Sequence, residues 1–101
     1  MKTDNDALFY EQLECYKQAL IKLKERMVML DKQGDQIVAQ IHAITGEDVD
    51  ACDPTDLTVS QQWELALLFA KAKANSEEIE RCYRKAMAIT KMVNAMVELN
   101  S

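Results

Sequence analysis

The apolar residues of this chain fall on two long ladders separated by a short, acidic, aperiodic stretch. The first ladder reads Phe9, Leu13, Tyr16, Leu20, Leu23, Met27, Leu30, Gly34, Ile37, Ile41 and Ile44, in alternating steps of four and three. Such steps average about 3.5 residues, the spacing that keeps one seam of a helix facing a partner helix. They predict one helix from about Asn5 to Ile44. Thr3 followed by Asp6 reads as its capping box, and Thr45-Gly46 as its stop, with Gly46 free to take the left-handed conformation beyond the last turn. Gly34 alone on the ladder lacks a side chain. It marks either a close backbone approach or a soft point costing about 1 kcal/mol relative to alanine.

Residues 46–57 form the connection, with Glu47, Asp48, Asp50, Asp53, Asp56 and the single proline, Pro54. Thr58 followed by Gln61 is a second capping box and opens a helix over about 59–99. Its ladder takes Leu65, Leu68 or Phe69, Ala72, Ser76, Ile79, Tyr83, Ala86, Ile89, Val93 and Met96. Asn75-Ser76-Glu77-Glu78 also reads as an N-cap signature, so a kink near residue 75 stands beside the continuous reading. The predicted fold is all-α. It is a long, coiled-coil-like antiparallel helical hairpin over residues 1–101 as a single domain, with facing residues whose numbers add to roughly 104.

The second helix carries apolar residues on its outer side too. Trp63, Leu67, Ala70 and Ala74 follow one another there, and Ala88, Met92, Ala95 and Leu99 continue the pattern, with Glu78, Arg81 and Lys85 between. On the first helix Ile21 and Val28 also stand off the seam. A helix apolar on two sides is usually covered on two sides. Two chains pairing into a four-helix bundle would cover these residues, and so would another protein. Trp63, Leu67, Ala70, Ala74, Met92 and Leu99 are therefore the candidate partner-binding or dimer patch.

Composition narrows the reading. With 49% hydrophobic and 29% charged residues, two glycines and one proline, the chain has the apolar content to fold and lacks the turn residues of a β-sandwich. The net charge of −5 argues against a dedicated nucleic-acid binder. Cys15, Cys52 and Cys82 form no CxxC pair, and such sparse cysteines suit a reducing compartment. Cys15 and Cys82 read as small, buried or half-buried side chains on their helices. The acidic N-terminal residues show no signal-peptide core, and no run of about 18 apolar residues exists. These features point to the cytoplasm and away from a membrane.

Little chemistry is encoded. His42 is the single histidine and has no triad-like companion in the pattern. The acids of the connection lack the glycine turn and terminal glutamate of a calcium loop, so no metal and no cofactor is expected. They remain a candidate docking loop for a basic partner: Glu47, Asp48, Asp50, Asp53 and Asp56. Lys17, Lys22, Lys24 and Arg26 should lie beside Arg81, Arg84 and Lys85 in the predicted register, forming a basic belt. That belt is the alternative nucleic-acid surface. Met87, Met92 and Met96 should pack against Phe9, Leu13 and Tyr16.

No enzyme is expected. The pattern implies a protein-interaction module, a small acidic chaperone, adaptor or inhibitor that binds a protein partner through helical apolar patches and forms a homodimer. The alternative is a small nucleic-acid-associated regulator working through the belt. In size, acidity and helical content the chain resembles small accessory proteins such as secretion chaperones and inhibitors of larger machines. No motif carries that likeness, so it assigns no residue.

Overall fold

The computed structural model describes the backbone of residues 2–99 and the side chains of residues 6–99. It contains helix α1, Lys2–Thr45, two 3₁₀ turns at Val49–Ala51 and Pro54–Asp56, and helix α2, Val59–Leu99. No strand occurs among the described residues. This is the element order of a helical hairpin. The chain divides into two compact units, Met29–Ile79 and the pairing of Met1–Val28 with Glu80–Ser101. In each, a stretch of α1 packs on a stretch of α2.

Every residue of the first ladder, from Phe9 to Ile44, is buried or half-buried in its unit. Leu30 and Ile41 are the most enclosed, at 3% and 5% exposure. The helix begins earlier than the capping box implied: Lys2 is already helical, so Thr3 lies inside α1, and its side chain is outside the described residues. At the other end Gly46 takes φ +84° and its N–H donates to the His42 carbonyl at 2.8 Å. Only a residue without Cβ adopts that conformation cheaply, which is why the helix stops there.

The second seam departs from the predicted one in its middle. Leu65, Leu68, Ala72, Ile79, Ala86, Ile89, Val93 and Met96 are buried or half-buried as expected, with Leu68 chosen over the exposed Phe69. Ser76 and Tyr83 are exposed, however, and Asn75 and Cys82 take their seam positions. The corrected ladder keeps steps of four and three from Leu65 to Met96.

Asn75 explains itself in the 29–79 unit. Its side-chain Nδ2 crosses to α1 and donates to the Leu30 carbonyl at 2.9 Å. The predicted register puts residue 75 opposite residue 29, one residue away. In a regular helix the Leu30 carbonyl also accepts the Gly34 N–H, so the second donor must approach over residue 34. A Cβ on Gly34 would stand 3.0 Å from the Asn75 Oδ1. Gly34 is thus the close-approach glycine and not a soft point. α2 runs through residue 75 as one helix, and the N-cap-like Asn75 spends its side chain across the seam.

The connection is built from local caps. The Asp48 carboxylate accepts the Asp50 N–H at 3.2 Å. The Asp53 carboxylate accepts both the Thr55 N–H at 2.9 Å and its hydroxyl at 2.8 Å. Gln62 donates to the Pro54 and Leu57 carbonyls, tying the connection to the first turn of α2. The Thr58–Gln61 capping box forms reciprocally: Gln61 N–H donates to Thr58 Oγ1 at 3.1 Å, and Thr58 N–H to Gln61 Oε1 at 2.9 Å.

The Thr55 backbone and hydroxyl bonds hold the Asp53 carboxyl below its ordinary value of 3.8. A carboxyl lowered by folding contributes its stability above the ordinary carboxylate range and loses it as pH falls through the lowered value. Carboxyl NMR titration should therefore place Asp53 below ordinary aspartates. Thr55→Val should move its midpoint upward by removing the hydroxyl bond.

Candidate functional site

Helical geometry sorts the side chains that the seam leaves outside. Writing the buried ladders as positions a and d of a heptad, an antiparallel pair is flanked by positions b and e of both helices on one side. Positions c and g of both helices flank the other side. The 29–79 unit shows this sorting directly. A shallow groove of about 310 Å³ on its c and g side is lined from α1 by Gln40, Ala43 and Ile44, and from α2 by Glu64, Leu67, Leu68 and Lys71. Its floor is apolar, from Ile44 and the buried Leu68, and its rim carries Gln40, Glu64 and Lys71.

Beyond the groove the apolar surface continues around the outside of α2. Trp63 is 71% exposed and Leu67 is 61% exposed, with Ala70 and Ala74 also open to solvent. A further shallow notch beside the tryptophan is lined by Gln62, Trp63 and Ala66. Leu67 belongs to both features: it forms one wall of the groove and stands one turn from Trp63 on the patch. Sequence periodicity places Trp63 and Leu67 on the outer face, and there they lie. The groove is not legible in the sequence, because it takes side chains from both helices and depends on their register. Met92 and Leu99, the other candidates for this patch, are exposed and belong to the 1–28/80–101 unit.

The belt residues Lys17, Lys22, Lys24, Arg26, Arg81, Arg84 and Lys85 are all exposed in the 1–28/80–101 unit. They do not share one face. Lys17 and Lys24 fall on the b and e flank, and Lys22, Arg26, Arg81 and Lys85 on the c and g flank. Arg84 lies on the back of α2, where it donates to Glu80 at 2.6 Å. The five acids of the proposed docking loop are exposed, but Asp48 and Asp53 are occupied as caps of the two 3₁₀ turns.

The other candidates are dispersed. Cys82 is buried, as expected, whereas Cys15 is exposed on α1, because it lies one residue before the seam position Tyr16. Cys52 is half-buried in the connection. Of these three methionines, Met96 sits on the seam, while Met87 and Met92 are exposed beside it. His42 is exposed near the end of α1. Among the described residues no three histidine, cysteine, aspartate or glutamate side chains converge as a metal-holding group. No described helix is long and apolar enough to cross a membrane. No protein-family model matches the sequence, and no curated protein or solved structure matches it either.

Proposed function

We propose that this chain is a non-enzymatic protein-interaction module, a cytoplasmic chaperone, adaptor or inhibitor that pairs with itself and receives an amphipathic helix of another protein. One observation carries the reading. Trp63 and Leu67 stand largely exposed beside a groove with an apolar floor and a polar rim. A contiguous apolar surface of this kind marks an interaction site more often than bare solvent contact. Helices seat in such grooves by burying a stripe of i, i+3 and i+4 residues, with rim polar groups fixing their orientation. Gln40, Glu64 and Lys71 supply one neutral, one acidic and one basic rim group, which suits a helix of mixed charge.

Because Trp63 is the single tryptophan, its fluorescence reports on this patch alone. The expected result is a shift of its emission to shorter wavelength when the copurified partner is added. Trp63→Glu and Leu67→Glu should each weaken partner capture by about 30-fold or more, the scale of a lost aromatic hot spot. Circular dichroism should remain helical, since both side chains point outward. Retention of the partner by both variants, with unmoved emission in the wild type, would reject the reading.

A further inference from the structure

We propose, resting on the interaction-module reading, that the helix received at the Trp63 patch is basic, with lysines or arginines that meet the acidic connection. All the residues involved belong to the 29–79 unit. Val59 is 69% exposed and opens an apolar line along α2. Trp63 and Leu67 follow it at steps of four, and Ala70 and Ala74 continue it, all open to solvent. From Val59 to Ala74 the line is about 22 Å long, enough for about four turns of a docked helix.

The apolar line starts where the acidic connection ends, and the two are tied together. Gln62 donates to the Pro54 and Leu57 carbonyls at 2.8 and 3.2 Å, and it also lines the notch beside Trp63. The backbone of the connection is thereby held against the patch. Between residues 33 and 70 the sequence has no lysine and no arginine. It has seven acids there, Asp35, Glu64 and the five of the connection, and all seven are exposed. His42 is the one side chain in that stretch able to become positive by gaining a proton. The lysines that border the stretch, Lys32 on α1 and Lys71 and Lys73 on α2, lie well along the helices from the connection. The groove rim is therefore mixed around Lys71, and the connection end is wholly acidic.

Charge selects the occupant. A second copy related by a two-fold axis would lay this surface on itself, acid onto acid, with no lysine or arginine of the stretch to answer it. Nucleic-acid phosphates and anionic lipid headgroups meet the same repulsion. A cationic helix is instead drawn to the connection end, and its apolar stripe then covers Val59, Trp63 and Leu67. The Asp48 and Asp53 caps hold the two 3₁₀ turns, so the acids stand on ordered backbone. Charges fixed in advance leave less to be ordered on binding.

Synthetic peptides without aromatic residues, added to the full chain at low ionic strength, test this. The first is an amphipathic helix of about 18 residues with leucine and alanine on one face and lysine on the other. A second carries glutamine in place of lysine, and a third has the lysine peptide's composition in shuffled order. The lysine peptide should shift Trp63 emission to shorter wavelength. It should bind about tenfold or more tighter than the glutamine peptide, and added salt should narrow that gap. Glu47→Gln with Asp50→Asn and Asp56→Asn spares both capping aspartates. This triple variant should stay helical by circular dichroism and bind the lysine peptide about tenfold or more weakly than wild type does. Equal binding of the lysine and glutamine peptides overturns the basic occupant and leaves the Trp63 reading standing. A shuffled peptide that binds as tightly as the ordered one, or binding that leaves Trp63 emission unmoved, means that the acids act alone and overturns it too. Emission that shifts with the concentration of the chain by itself gives the patch to a second copy, with the same consequence. Should no peptide bind, the basic occupant is rejected, and the Trp63 reading is decided separately by capture of the copurified partner.

Discussion

Leu68→Ala is expected to destabilise the chain by about 2–5 kcal/mol, while Phe69→Ala, the neighbouring and larger truncation, should cost under about 1 kcal/mol. Leu68 is 4% exposed, so its removal loses the transfer energy of three carbons and leaves a cavity that the seam cannot close. Phe69 is 46% exposed and flanks the seam, so its loss removes only part of a contact and leaves no void. Urea unfolding followed by circular dichroism at 222 nm reads both. If Phe69→Ala proved the costlier change, the seam would run one residue later, through Phe69 in place of Leu68. Ser76 and Tyr83 would then face inward with it.

That contrast shows how much of the architecture the amino-acid pattern carried. The first helix was legible because its seam residues are nearly all leucine, isoleucine or aromatic, and each is shielded in the structure. Both capping signals near the connection were legible as well, since Thr58–Gln61 and Gly46 act through local backbone groups. The middle of α2 misled. Asn75 is polar and begins an N-cap-like run, and Tyr83 outweighs Cys82 in apolar area, so hydrophobicity favours the wrong neighbour twice. Strict alternation of four and three, carried on from Ala72, selects Asn75 and Cys82. Position 75 can be polar only because α1 offers a carbonyl beneath a glycine, a fact that no single-helix pattern contains.

The candidate surfaces divide along the same line. Trp63, Leu67, Ala70 and Ala74 are outward on one helix, and periodicity alone places them. The groove beside them and the sorting of the basic residues onto separate flanks depend on how two helices are phased against each other. Lys22 and Lys24 are two residues apart, which on a helix is more than half a turn. Proximity in sequence therefore suggested a belt where the seam phase puts the two lysines on opposite flanks.

The Asn75–Gly34 contact yields the sharpest expectation. Asn75→Asp should cost about 2–3 kcal/mol at neutral pH, because a carboxylate replaces the donor and faces the Leu30 carbonyl in a partly buried site. The penalty has a pH signature. Repulsion by the carbonyl and loss of water raise the folded-state pKa of the new carboxyl above the ordinary aspartate value of about 3.9. Stability is then lost as pH rises through that range and recovered as it falls, since a protonated carboxyl can again donate to Leu30. Gly34→Ala tests the other half of the contact. In a helix interior this change stabilises by about 1 kcal/mol, but here the new methyl would press on the Asn75 Oδ1 at 3.0 Å, and that atom is held in place by the Leu30 bond. The substitution should therefore gain little or lose stability in the wild-type background. With Asn75→Ala already present the obstruction is gone, and Gly34→Ala should recover most of its intrinsic gain. A coupling of at least about 0.5 kcal/mol between the two sites is the expected outcome of this double-mutant cycle. Additive effects would mean that the asparagine and the glycine do not interlock and that the register is set by apolar packing alone.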